Sequence, residues 1–78
     1  MSVTSYTTVG KRLRMWRKQK HTTTLRAAAV RTGLSVSFLS DIERDRTLPS
    51  LRTCQKLVDI YGKNMSMLFA GVRIEEDK

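Results

Sequence analysis

Between Ser35 and Arg44, three hydroxyls and a carboxylate, from Ser35, Ser37, Ser40 and Asp41, follow one another closely. A serine oxygen becomes a nucleophile only beside a base that takes its proton, and that base needs a third group to orient it. The single histidine, His21, sits among polar residues with no second histidine, cysteine or nearby carboxylate. It supplies neither a catalytic partner nor a metal ligand set. What remains for these side chains is hydrogen bonding, in which a hydroxyl both donates and accepts while an ionised carboxylate only accepts. Ser37, Ser40 and Asp41 fall on one side of a 3.6-residue period, and Leu34, Leu39 and Ile42 fall on the other. One side is able to pack and the other is left to read a surface.

That surface has to be held in place by its neighbours. Two short helices crossing at roughly 90–120° through a three- or four-residue turn need a glycine in the turn and a small residue at the crossing. Within Leu25 to Arg44, Gly33 and Ala29 supply these, with Ala28 beside them. Thr24 and Ser35 precede the two helices, where a side-chain oxygen accepts from the unpaired first amides. The rest of the chain reads as three more short helices, for an all-α fold of five. The first is expected from about Thr8 to Lys20, with Val9, Leu13 and Trp16 as an apolar stripe and basic residues around it. After the polar loop from Arg44 to Pro49, a fourth helix is expected over about Ser50 to Tyr61, burying Leu51, Cys54, Leu57, Val58 and Tyr61, with Gly62 ending it. Asn64 caps a last helix of about Met65 to Ala70, whose Met65, Leu68 and Phe69 close the core. Residues 1–7 read as an arm, 8–71 as one domain and 72–78 as a tail.

At 78 residues the chain has room for one small core and not for the deep cleft of an enzyme. Cys54 is the sole cysteine, which excludes an intrachain disulfide and suits a reducing, cytoplasmic setting. No apolar stretch approaches the ~20 residues of a membrane span, and the N-terminus lacks a signal-peptide pattern. The net charge of +8 is unevenly placed. Residues 1–40 carry eight basic side chains (Lys11, Arg12, Arg14, Arg17, Lys18, Lys20, Arg26, Arg31) and no acid, whereas residues 41–78 carry seven of each sign. Charge gathered on one part of a basic domain suggests a polyanionic partner, because each phosphate neutralised releases condensed counterions. A solvated surface kept soluble by repulsion accounts for the charge alone equally well, and the helix-pair spacing favours the first reading.

The chain resembles the Cro and lambda-repressor-like helix-turn-helix family, also called the xenobiotic-response-element family. The matching residues are Val9-Gly10 with Leu13, Trp16 and Arg17, then Thr24-Leu25, Ala29 and Thr32-Gly33-Leu34-Ser35. Leu39-Ser40-Asp41-Ile42-Glu43-Arg44, Pro49-Ser50-Leu51 and Leu68-Phe69 complete the set. Three positions depart from the family pattern. The interval from Arg17 to Thr24 is one residue longer than usual, which implies a looser first turn. Asp45 stands where glycine often follows Glu-Arg, and it enters the left-handed region less readily. Ala28 replaces the usual leucine and removes core volume that Trp16 or Met15 would fill.

The resemblance implies a compact lambda-repressor-like domain, without cofactor or metal, that binds double-stranded DNA as a transcriptional regulator. Its second motif helix, about 35–44, would enter the major groove with Ser35, Val36, Ser37 and Phe38 at the base edges and Ser40 and Asp41 a turn later. Ser37 suits several bases, Val36 or Phe38 a thymine methyl, and Asp41 a cytosine amino group, unless Asp41 pairs with Arg44 or Arg31. No arginine, asparagine or glutamine occupies these positions, which moves discrimination toward DNA shape and outlying arginines. Phosphate contacts are expected from Thr24, Arg26, Arg44, Arg46, Thr47, Ser50 and Arg52. Arg17 and Glu43 match a structural ion pair between the first and third helices.

Family members at this size include phage repressors, restriction-modification controllers and antitoxins. Met65, Met67, Phe69, Val72 and Ile74 exceed what a short closing helix needs to bury, and mark the expected surface of a homodimer on a palindromic operator. The alternative is an antitoxin or protein-interaction module on the same fold, holding a toxin or RNA polymerase in place of DNA. The expected location is the cytoplasm, in association with the nucleoid.

Overall fold

The computed structural model of the chain describes residues 7–19 and 24–72. Residues 20–23 of the looser first turn, the arm residues 1–6 and the tail from residue 73 lie outside the described residues. Five helices follow in order: α1 (Val9–Gln19), α2 (Leu25–Thr32), α3 (Val36–Glu43), α4 (Leu51–Ile60) and α5 (Met65–Phe69). Among the described residues, extended pairing is confined to one isolated parallel bridge between Thr7 and Val72. Helix α1 packs across α3 and α5, α2 packs on α3 and α4, and α4 meets α5. The shared interior holds Leu13, Leu39, Ile42, Leu57, Val58, Tyr61 and Leu68, all buried.

The boundaries are set by side chains that satisfy stranded backbone groups. Thr24 Oγ1 accepts from the Ala27 amide at 3.0 Å, Ser35 Oγ from Phe38 at 3.0 Å, Ser50 Oγ from Thr53 at 3.1 Å and Asn64 Oδ1 from Met67 at 2.8 Å. Each removes one of the unpaired amides that a helix start leaves exposed. At the sharp turn after α2, Gly33 takes φ 78° and its amide donates to the Ala29 carbonyl at 2.8 Å. A residue with a Cβ is strained there, so glycine sets the angle at which α3 leaves α2.

The joint between α3 and α1 rests on Asp45, the residue standing in for the usual glycine. It takes φ 60°, and around it the Arg46 amide donates to the Asp41 carbonyl at 2.9 Å. This is the six-to-one closure of a helix end through a left-handed residue. The Asp45 carboxylate accepts from the Gly10 amide at 3.0 Å and from the Thr8 hydroxyl at 2.6 Å. An acid at the amide end of α1 is favourable, which offsets the backbone strain that a glycine would have avoided. A Cβ at position 10 would collide with the Ile42 carbonyl, so α1 approaches α3 this closely only with glycine there. At the opposite edge the Arg12 guanidinium donates to the carbonyls of Met67 at 2.7 Å, Leu68 at 3.3 Å and Ala70, closing the carbonyl end of α5.

One core expectation is corrected. Leu51 is 70% exposed. As the first residue of α4 it leans toward the helix start, past the edge of the core that begins at Cys54. Met15 is about half exposed while Trp16 is buried, so Trp16 alone of the two belongs to the core that contains Ala28. α1 also begins at Val9, because Thr8 serves as its cap through a bond from the Lys11 amide to Thr8 Oγ1 at 3.1 Å.

Candidate nucleic-acid interface

Helix α3 divides cleanly into two faces. Leu39, Ile42 and Glu43 are buried, while Ser35, Val36 and Ser37 are exposed and Ser40 and Asp41 are half-exposed. Phe38 is half-buried and packs against the core. The outward set is therefore short-chained: a methyl-bearing Val36, three hydroxyls and one carboxylate.

The inward acid is tied to α1. Arg17 Nε lies 2.7 Å from Glu43 Oε2 and Arg17 Nη2 lies 3.0 Å from Oε1, with the side chains only 12% and 7% exposed. Two parallel charge-assisted bonds fix both distance and angle between α1 and α3. The bond to Glu43 holds the Arg17 guanidinium above its ordinary pKa, against the opposing effect of burial. Tyr61 adds to this buried polar region. Among the described residues its hydroxyl has no hydrogen-bond partner, and burial, reinforced by the Glu43 charge, pushes its pKa up to about 12.

The outward acid is held differently. Asp41 Oδ1 lies 3.8 Å from Arg46 Nη1, with side chains 46% and 64% exposed. The sequence suggested Arg44 or Arg31 as its partner. The reversal at Asp45 brings the chain back over the last turn of α3 and delivers Arg46 instead.

Around this face, Thr24, Arg26, Arg44, Arg46, Ser50 and Arg52 are exposed and Thr47 is half-buried. Arg14, Arg17 and Arg44 border an open notch of about 250 Å³ with Leu25, Ser40 and Glu43, so basic groups from α1 adjoin the outward face of α3. The capping hydroxyls divide by what they still offer. Thr24 and Ser35 accept from helix amides, a bond that leaves the hydroxyl proton available to donate. Ser50 also donates to Thr53 Oγ1 at 3.1 Å, so its proton is spent within the chain. The start of α4 then offers an anion its first amides more than the Ser50 hydroxyl.

Of the residues expected at a dimer surface, Met65, Phe69 and Val72 are half-buried and pack on the core, and Met67 is 42% exposed. Ile74 lies outside the described residues. Sequence reasoning missed the roles of Asp45 and Arg12. Arg12 carried no signal, because a basic residue in a basic helix is indistinguishable from its neighbours. Asp45 did carry one, as an acid where the pattern calls for glycine. Among the described residues no helix is long and apolar enough to cross a membrane, and no three histidine, cysteine or acidic side chains come together to hold a metal ion.

Comparison with known proteins places this geometry. A family model described as helix-turn-helix matches residues 13–68. The chain is 41% identical over 61 residues to the HTH-type transcriptional regulator PuuR of Escherichia coli K12, covering 78% of this chain and 32% of that protein. It is 41% identical over 61 residues to the HTH-type transcriptional regulator DdrOP3 of Deinococcus deserti, covering 78% of this chain and 47% of the relative. It is 39% identical over 61 residues to the immunity repressor protein of Bacillus phage phi105, covering 78% of this chain and 42% of the relative. The matched segment thus spans between about a third and a half of these relatives' length.

Proposed function

Because the chain belongs to the helix-turn-helix family of Cro and lambda-repressor-like proteins, a family of non-enzymatic modules, we propose that it is a sequence-specific DNA-binding transcriptional regulator acting in the cytoplasm, as a repressor or autoregulatory controller. The observation that carries this reading is the division of α3. Its inner face is locked to α1 and the core, and its outer face presents only short polar and methyl groups flanked by exposed arginines. A helix so held enters a major groove as a rigid body.

In this reading Ser35, Val36 and Ser37 meet base edges at the amino end of α3, with Asp41 a turn later and Phe38 and Ser40 at the sides. Thr24, Arg26, Arg44, Arg46, Thr47, Ser50 and Arg52 orient the module on phosphates. Short side chains lack the two-pronged reach of arginine or glutamine to a purine, so sequence preference leans on groove shape and deformability. The exposed Met67, with Met65, Phe69, Val72 and Ile74, forms the contact of a two-fold homodimer on half-sites about one helical turn apart.

Binding to duplex DNA over a range of salt concentrations tests this. Four arginines on phosphates give a log–log slope of about −3.6 per subunit, and about twice that for a dimer, at roughly −0.9 per phosphate neutralised. A flat response sinks the DNA reading and leaves the protein-interaction alternative. Selection of bound sites from random DNA reports whether they are palindromic, and sedimentation reports the dimer.

A further inference from the structure

We propose that Asp41 and Arg46 act as one specificity device, in which Asp41 holds Arg46 away from phosphate until a cytosine amino group takes the carboxylate's place. The inference rests on the DNA-binding reading above and goes beyond it by coupling a base-reading position to a backbone-contacting one.

The geometry is built into the end of α3. The Arg46 amide donates to the Asp41 carbonyl at 2.9 Å, and Asp45 at φ 60° makes the reversal that permits this bond. Asp45 is itself held by Gly10 on α1 and by Thr8, the cap that precedes it. The Arg46 backbone is therefore anchored one helical turn beyond Asp41, and its side chain returns over the carboxylate at 3.8 Å. Both groups are substantially exposed, so solvent screens the pair and breaking it costs little. That weakness suits an exchange. A buried pair such as Arg17 with Glu43 could not trade partners on contact with DNA.

Two acceptors compete for Arg46 and two donors compete for Asp41. On a duplex without cytosine at the facing step, Asp41 keeps Arg46 and the phosphate loses a cation. Where the cytosine amino group donates to Asp41, the guanidinium swings to phosphate and both charges are satisfied. The base identity is thus paid out at a contact that carries no sequence information of its own.

A double-mutant cycle on duplex binding tests the coupling. Asp41→Asn is expected to tighten binding to mixed-sequence duplex by about two- to fivefold, the scale of an exposed ion pair. In an Arg46→Ala background the same change is expected to have no effect beyond error. On sites selected by the natural protein, Asp41→Asn should erase the preference for cytosine at one position per half-site. Tightening that persists undiminished in the Arg46→Ala background assigns the effect to simple repulsion between Asp41 and phosphate and overturns the proposal, as does unchanged or weaker binding by Asp41→Asn. Absence of salt-dependent duplex binding by the unaltered protein is a separate outcome, and it overturns the DNA reading itself.

Discussion

Two carboxylates on one helix, two residues apart, lead opposite lives. Glu43 is buried, receives two bonds from Arg17 and joins α3 to α1. Asp41 is half-exposed and faces Arg46 across 3.8 Å of accessible surface. A separation of two residues turns a side chain by about 200° around a helix, enough to carry it from the interior to the solvent. Both are acids facing arginines, so chemistry does not separate them. Burial does, because desolvation makes the inner pair costly to break and solvent makes the outer one cheap.

The widest gap is expected in stability. Glu43→Ala removes the buried carboxylate that accepts two bonds from Arg17 and should cost about 3–5 kcal/mol in urea unfolding. Asp41→Ala should cost less than about 1 kcal/mol in the same assay. Equal losses would break the comparison.

Tyr61 sharpens its buried side. The fold favours the neutral phenol, so the folded pKa of about 12 lies above the unfolded value of 10. The contribution is complete below pH 10 and is lost as pH rises through 12, at most about 2–3 kcal/mol in all. Tyr61→Phe should remove that alkaline loss and, by deleting an unpaired buried hydroxyl, leave neutral-pH stability unchanged or higher. A Phe variant that still loses stability on the same alkaline curve would assign it elsewhere.

Gly10→Ala forces a methyl against the Ile42 carbonyl and should cost about 1–3 kcal/mol, read as a lowered denaturation midpoint. At the small end, Arg46→Ala should change stability by no more than about 0.5 kcal/mol. It should weaken binding to sites that carry cytosine at the step facing Asp41 more than to duplexes that lack it, and on those sites reduce the magnitude of the salt slope by about 0.9.

Much of this arrangement is legible in the chain itself. Thr24, Ser35 and Asn64 announce three helix starts, because capping is a local exchange between a side chain and amides two or three residues on. Gly33 announces the sharp turn for the equally local reason of its left-handed backbone. The α3 period separates Leu39 and Ile42 from Ser37 and Asp41, since helical geometry fixes relative direction. Leu51 misleads that same logic. Its spacing matches the buried face of α4, but periodicity is blind to where a core stops along a helix axis. The partner of Asp41 was equally hidden, because three arginines lay within plausible reach and only the path of the chain after α3 chooses among them.

The sequence by itself determined the helices, their caps, the crossing at Gly33 and the one-sided charge, since each depends on residues within a few positions of one another or on composition alone. Tertiary structure decided that Asp45 would anchor the start of α1, that Arg12 would close α5, and that Arg46 rather than Arg44 or Arg31 would meet Asp41. Those contacts join residues distant in the chain or reversed by a turn. A side chain's partner is settled by where packing carries it, which no local pattern encodes.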